Sequence, residues 1–222
     1  MIAFSSWHSR LDNLMKRREF LKLSLGAAAV AVQSRRARAE AGFTRGSSAH
    51  NVIVQTLEEA GLTCADITPV YLTPPDAGPA FANGSIDAWS VWDPYLAIGE
   101  IRQKGRILVN ASDITKTNSF YIANRDFAKS QGPVLRQIID VTISIAKWAE
   151  AHRDDVAKSL SAVTGIPLDI QTVAAKRSSF AVGPITNDIV ATQQAVADRF
   201  FRLGLIPKPV VVRDALWKPQ QS

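Results

Sequence analysis

Two short stretches carry residue types that can bind a small charged molecule. The first is Gly46-Ser47-Ser48-Ala49-His50-Asn51, which opens a segment with Val52, Ile53, Leu57 and Ala60 at helical spacing. Ser47 or Ser48 is a natural N-cap and Gly61 a natural stop. A helix N-terminus exposes unpaired backbone N–H groups and the positive end of the helix dipole. Serine hydroxyls add donors, so the combination suits a sulfonate, sulfate or phosphate. The same residues also fit a plain serine cap with no ligand. The second stretch runs from Ser85 to Tyr95 (SIDAWSVWDPY). Strand alternation puts Trp89 and Val91 on one face and Ser90 and Trp92 on the other. Trp92 and Asp93 then fall at the carboxyl end of a strand, where α/β folds bind ligands. An indole offers an apolar wall, and a carboxylate can meet an ammonium or an arginine. Alternatively, Trp92 is core and Asp93 only caps the next helix; Trp89 reads as core.

Other chemistry is absent from the sequence. It has no Gly-x-Ser-x-Gly elbow, phosphate-binding loop, dinucleotide fingerprint or His-Glu-x-x-His pair. The three histidines, His8, His50 and His152, are dispersed, which argues against a histidine-rich metal centre. Cys64 is the single cysteine, so no intramolecular disulfide forms and no cysteine-rich zinc site exists. Asp154-Asp155 and Glu58-Glu59 read as solvated helix faces. The expectation is a non-enzyme without cofactor or metal.

The elements that must position the two stretches follow a strand–helix rhythm. Ile67–Leu72 and Ile86–Trp92 are strands, and Pro74-Pro75-Asp76 begins a short helix closed at Asn83-Gly84. Asp93-Pro94 starts another helix, with Arg106–Val109 and Ser119–Ala123 as further strands. After Asp126, the segments Val134–Glu150, Asp154–Val163 and Ile185–Leu203 are helical by period, and Pro167 begins a further short helix. The fold class is α/β with a mainly parallel sheet.

The 222 residues include 26 Lys+Arg and 20 Asp+Glu, a net charge of +6, in one or at most two domains. Residues 1–41 hold eight basic and three acidic side chains, a net +5, which leaves +1 on the rest. The body is nearly neutral, so nucleic acid is not an expected partner. The basic excess belongs to an export-type leader. Met15-Lys16-Arg17-Arg18 is followed by Phe20, Leu21 and a short run, Leu23–Val32, that is apolar but for Ser24. Ala37-Arg38-Ala39 then supplies small residues for cleavage. Twin arginines point to the twin-arginine pathway, and the run is too short for a membrane anchor. Met15 is the better start, with residues 1–14 upstream of it, and the mature chain is expected to begin near Glu40 or Gly42.

Five segments resemble one known family in order: GSSAHNVIVQTLEEAGL (46–62), DITPVYLTPPDAGPAF (66–81), GSIDAWSVWDPYLA (84–97), TNSFYIANRDFA (117–128) and ADRFFRLGLIPKPVVVRDALWKP (197–219). They are similar to the aliphatic sulfonate- and taurine-type solute-binding proteins of ABC importers. The resemblance implies a periplasmic-binding-protein-like (type II) fold with two lobes closing over a ligand cleft. It also implies a periplasmic location, a role in sulfur metabolism, a small anionic organosulfur ligand and an inner-membrane ABC permease as partner. By position, Ser47, Ser48, His50, Trp92 and Asp93 match cleft residues, with Asn118 and Ser119 near the hinge. The implied organisation is a leader over 1–41, the second α/β lobe over 42–123, and the hinge return with the C-terminal helices of the first lobe over 124–222. Compared with the family, most of the first lobe's early segment is missing between leader and Gly46. Its remaining helices would then expose apolar surface and favour self-association. The alternatives are a remnant of the family that no longer binds and an exported cofactor enzyme.

Overall fold

The computed structural model describes residues 2–4 and 38–218. The expected leader residues 5–37 lie outside the described residues. Five strands form one sheet: β1 (Ile2–Phe4), β2 (Ala39–Phe43), β3 (Ile67–Tyr71), β4 (Ala88–Ser90) and β5 (Arg106–Val109). Their order is β3-β2-β4-β1-β5. β2 runs parallel to β3 and β4, while β1 lies antiparallel between β4 and β5. The sheet is therefore mixed. Ile2–Phe4 and the first three residues of Ala39–Phe43 belong to it, upstream of the expected lobe boundary at residue 42. Cleavage at Gly42 would remove Ala39–Ala41 from β2.

Helices cover both faces. The alternating pleat of β2 and β4 sends Ala41, Phe43 and Ala88 toward helix α1 (Ser48–Glu59), where they meet Ile53, Val54 and Leu57. The opposite pleat sends Trp89 and Val91 against α2 (Pro74–Ala82) and α3 (Tyr95–Ile101), joining Phe81, Ile86 and Leu96. Trp89 is among the largest fully buried side chains, as its place in the alternation requires. Gly105 permits a close turn here. A Cβ at that position would stand 2.9 Å from the Gly99 carbonyl oxygen and 3.0 Å from the Phe81 ring.

A one-turn helix α4 (Ala111–Ile114) follows β5. The remaining chain is helical: α5 (Arg125–Ser130), α6 (Gly132–Ala151), α7 (Arg153–Thr164), α8 (Leu168–Arg177) and α9 (Asn187–Arg202). α8 docks on the sheet layer through α3, where Arg102 Nη2 donates to both carboxylate oxygens of Asp169, at 2.9 and 2.7 Å. α9 docks on α1 through Arg199, which donates to Asn51 Oδ1 at 2.9 Å and to Glu58 Oε2 at 3.3 Å. Among the described residues no helix is long and apolar enough to cross a membrane.

Two expected strands differ. Ser119–Ala123 forms no strand: Tyr121 and Ile122 are 77% and 94% exposed, and no neighbouring strand supplies the ladder that β-branched residues need. The strand expected over Ile86–Trp92 is confined to Ala88–Ser90, the residues that pair with β1 and β2, although Asp87 still donates its N–H to the Glu40 carbonyl at 2.8 Å.

Candidate functional site

The first element of the site is the start of α1. Ser47 is its N-cap, with extended backbone. The Ser47 hydroxyl accepts the His50 N–H at 3.2 Å and donates to the Thr44 carbonyl at 2.7 Å. It is thus used on both sides, while the Ser48 hydroxyl has no partner among the described residues. The N–H groups of Ser48 and Ala49 belong to the first turn and have no carbonyl four residues back within the helix. Gly46 precedes them at φ +75, a left-handed conformation that glycine adopts without strain. β2 and the α1 start are also tied to β4, because Ser90 Oγ donates to the Ala49 carbonyl at 2.9 Å.

The second element is the chain leaving β4. Trp92 is 40% exposed, in contrast to Trp89. Asp93 follows, with a carboxylate held on two sides. One oxygen accepts the Ala97 N–H at 3.2 Å, in the first turn of α3, and the other meets Arg177 Nε at 3.2 Å. Arg177 also pairs with Glu100 at 2.6 Å. Burial pushes the Asp93 carboxyl above its ordinary range, and the Arg177 guanidinium opposes that shift. Asp93 therefore does both things its sequence position allowed: it caps α3 and it meets an arginine.

These elements border an open cleft of about 480 Å³, a size that suits a small-molecule ligand. Ser47, Ser48, Trp92, Asp93, Asn118 and Ser119 all line it. Six of the seven expected residues are thus brought together from three separate segments. Val52 and Leu96 supply apolar wall, and Ala111 and Thr117 complete the rim. The last two carried no sequence signal, being a small residue and a loop threonine.

His50 is placed elsewhere. Its side chain is buried against Phe43, with ring centroids 4.7 Å apart, and faces Tyr71 and Phe200 at 6.1 and 5.9 Å. Its Nδ1 accepts the Gly46 N–H at 3.1 Å, which closes the loop carrying Ser47 and Ser48. Burial, aided by the nearby Arg45 cation, holds the imidazole below its ordinary value. Helical period explains the placement. Ser48 and Val52, four apart, share the cavity face, while His50, Val54 and Leu57 share the core face. That signal was readable in the sequence. Arg177, which borders the site through Asp93, carried no sequence signal either, since its partner is distant along the chain.

The cavity thus offers helix N-terminal N–H groups and a hydroxyl on one side and an indole on the other. This arrangement can hold an oxyanion at one end and an apolar chain at the other. Among the described residues no cluster of three or more metal-ligating side chains occurs.

Comparison with known proteins adds the following. Residues 10–164 match the NMT1-like family. An Escherichia coli (strain K12) protein named for binding aliphatic sulfonates is 34% identical over 180 residues, covering 81% of this chain and 56% of that protein. The crystal structure of the periplasmic aliphatic sulphonate binding protein SsuA from Escherichia coli superimposes with a TM-score of 0.75 at 32% identity. It covers 83% of this chain and 60% of that one. The alkanesulfonate-binding protein SsuA from Xanthomonas axonopodis pv. citri, solved bound to MOPS, gives 0.74 at 34% identity. That alignment covers 81% of this chain and 63% of the other. The chain therefore spans less than two thirds of the length of each of these relatives.

Proposed function

The chain belongs to the NMT1-like family, and on that premise we propose that it is an extracytoplasmic solute-binding component of an ABC importer that captures aliphatic sulfonates. Its fold is of the type II periplasmic-binding-protein class. The observation that carries the reading is the convergence of Ser47, Ser48, Trp92, Asp93, Asn118 and Ser119 on one cavity. In this reading the Ser48 and Ala49 N–H groups and the Ser48 hydroxyl receive the sulfonate oxygens. Trp92 and Val52 pack on the alkyl chain, and the Asn118 amide donates from the rim. Asp93 stays paired with Arg177, so its charge does not repel the anion. Residues 39–123, with Ile2–Phe4 in the same sheet, then form the ligand-bearing lobe and residues 124–222 the helical return. Delivery to a permease and export by a twin-arginine leader complete the role. The E. coli and Xanthomonas relatives, named for binding sulfonates, support the ligand class.

The test is a titration of the full chain with taurine and a series of linear alkanesulfonates, read by tryptophan fluorescence. Trp92 lies on the cavity wall, so saturable binding should change the emission, and Trp92→Phe should remove that change. Ser48→Ala should weaken binding by about tenfold, the loss of one hydrogen bond to a charged group. No response to any sulfonate at millimolar concentration, from a cooperatively folded sample, would sink the reading.

A further inference from the structure

Among the described residues, Asp93 is the single charged side chain that borders the cleft; the other lining residues are hydroxyl, amide, indole or aliphatic. A lone carboxylate there has two consequences for a ligand. It repels an anion, and it attracts an ammonium group lying beside the Trp92 indole. Arg177, behind the cleft wall, decides which of these is felt. Its Nε stands 3.2 Å from Asp93 Oδ2, and its Nη2 donates to Glu100 Oε2 at 2.6 Å. The Arg177 and Asp93 side chains are 26% and 17% exposed, so solvent screens the pair only in part. The guanidinium is also braced from behind. At the start of α8, Asp169 is held by Arg102. At its end, Arg153 Nη1 donates to the carbonyls of Ala175 and Ser178, at 2.5 and 2.6 Å, one on each side of Arg177. A ligand ammonium must therefore compete for Asp93 with a guanidinium already fixed in place.

We infer that Arg177 is a positioning residue that sets the tail selectivity of the cleft: by neutralising Asp93 it admits sulfonates with uncharged tails and disfavours aminoalkanesulfonates. The inference rests on the sulfonate reading given above. Glu100 acts in the opposite direction, because it draws on the same guanidinium and adds a second negative charge. Loss of Arg177 would leave the Asp93 charge uncompensated. An alkanesulfonate would then be repelled, while a zwitterion would gain an attraction for its ammonium. Loss of the Glu100 charge would leave Arg177 to Asp93 alone and turn the cleft further against an ammonium. Looser docking of α8 would weaken both ligands alike, so the ratio of the two affinities reads charge and not packing.

The experiment is calorimetric titration of the full chain with linear propanesulfonate and with taurine at about pH 7.5, above the carboxyl range. The two ligands differ only in a terminal methyl against an ammonium. The wild type should bind propanesulfonate at least about tenfold more tightly. Arg177→Met should shift the ratio toward taurine by about tenfold, and adding Asp93→Asn should abolish that shift. Glu100→Gln, which leaves the Asp93–Arg177 pair in place, should move the ratio the other way by about threefold, and it supplies the test by itself if Arg177→Met does not fold. Equal affinities in the wild type, a ratio that the variants leave unmoved, or shifts of the same sign in Arg177→Met and Glu100→Gln would overturn the role of Arg177. A wild type that binds neither ligand would overturn the sulfonate reading as well, whereas propanesulfonate binding with an unmoved ratio would overturn only the role of Arg177.

Discussion

His50 offers the sharpest test of how the site is held together. The substitution His50→Phe keeps an aromatic ring against Phe43, Tyr71 and Phe200 but removes the Nδ1 acceptor at 3.1 Å from the Gly46 N–H. A partly buried donor left without a partner costs about 1–2 kcal/mol. For a chain of this size that corresponds to ~3–6 °C in Tm. The pH dependence distinguishes this account from simple repacking. The folded imidazole sits below its ordinary value of 6.5, because burial and Arg45 disfavour its charged form. Below that value the unfolded chain binds the proton more readily than the folded one. Wild-type stability must therefore fall as pH drops through about 6.5 toward the lower folded value, by up to ~1.4 kcal/mol per pH unit. His50→Phe lacks that slope. Urea unfolding of both proteins at neutral pH and at about pH 5 should show the wild type more stable at neutral pH and the gap narrowed or reversed in acid. The subtraction cancels the other histidines. A gap independent of pH, or no gap at neutral pH, would refute the assigned role of the ring.

Two further perturbations probe the supports of the site. Asp93→Asn keeps an oxygen for the Ala97 N–H and leaves Arg177 paired with Glu100. Because burial raises the Asp93 pKa in the folded state, the wild-type carboxylate destabilises once ionised. The variant should thus gain on the wild type as pH rises from about 4 to 7 in chemical denaturation, and a loss growing over that range would contradict the direction. Gly105→Ala should cost about 1–3 kcal/mol, since its Cβ meets the Gly99 carbonyl and the fully buried Phe81. A thermal melt within one degree or so of wild type would show that the turn yields instead.

The local signals in this sequence were strong where the physics is local. Ser47 and Gly61 bracket α1 because a cap and a left-handed stop act within one turn, and the alternation through Ala88–Ser90 placed Trp89 in the core. The helices after Asp126 follow their apolar period closely. Placement of the remaining features depended on contacts between distant segments. Ser119–Ala123 has strand-forming residues but no strand beside it, and a β-propensity without a ladder produces none. The insertion of Ile2–Phe4 between β4 and β5, antiparallel to both, is a pairing choice that three residues cannot specify alone. The carboxylate of Asp93 was legible as a group that needs a cation. Only the docking of α8 on α3 decided that this cation is Arg177, because closing so long a loop is decided by the packing of whole helices rather than by either residue.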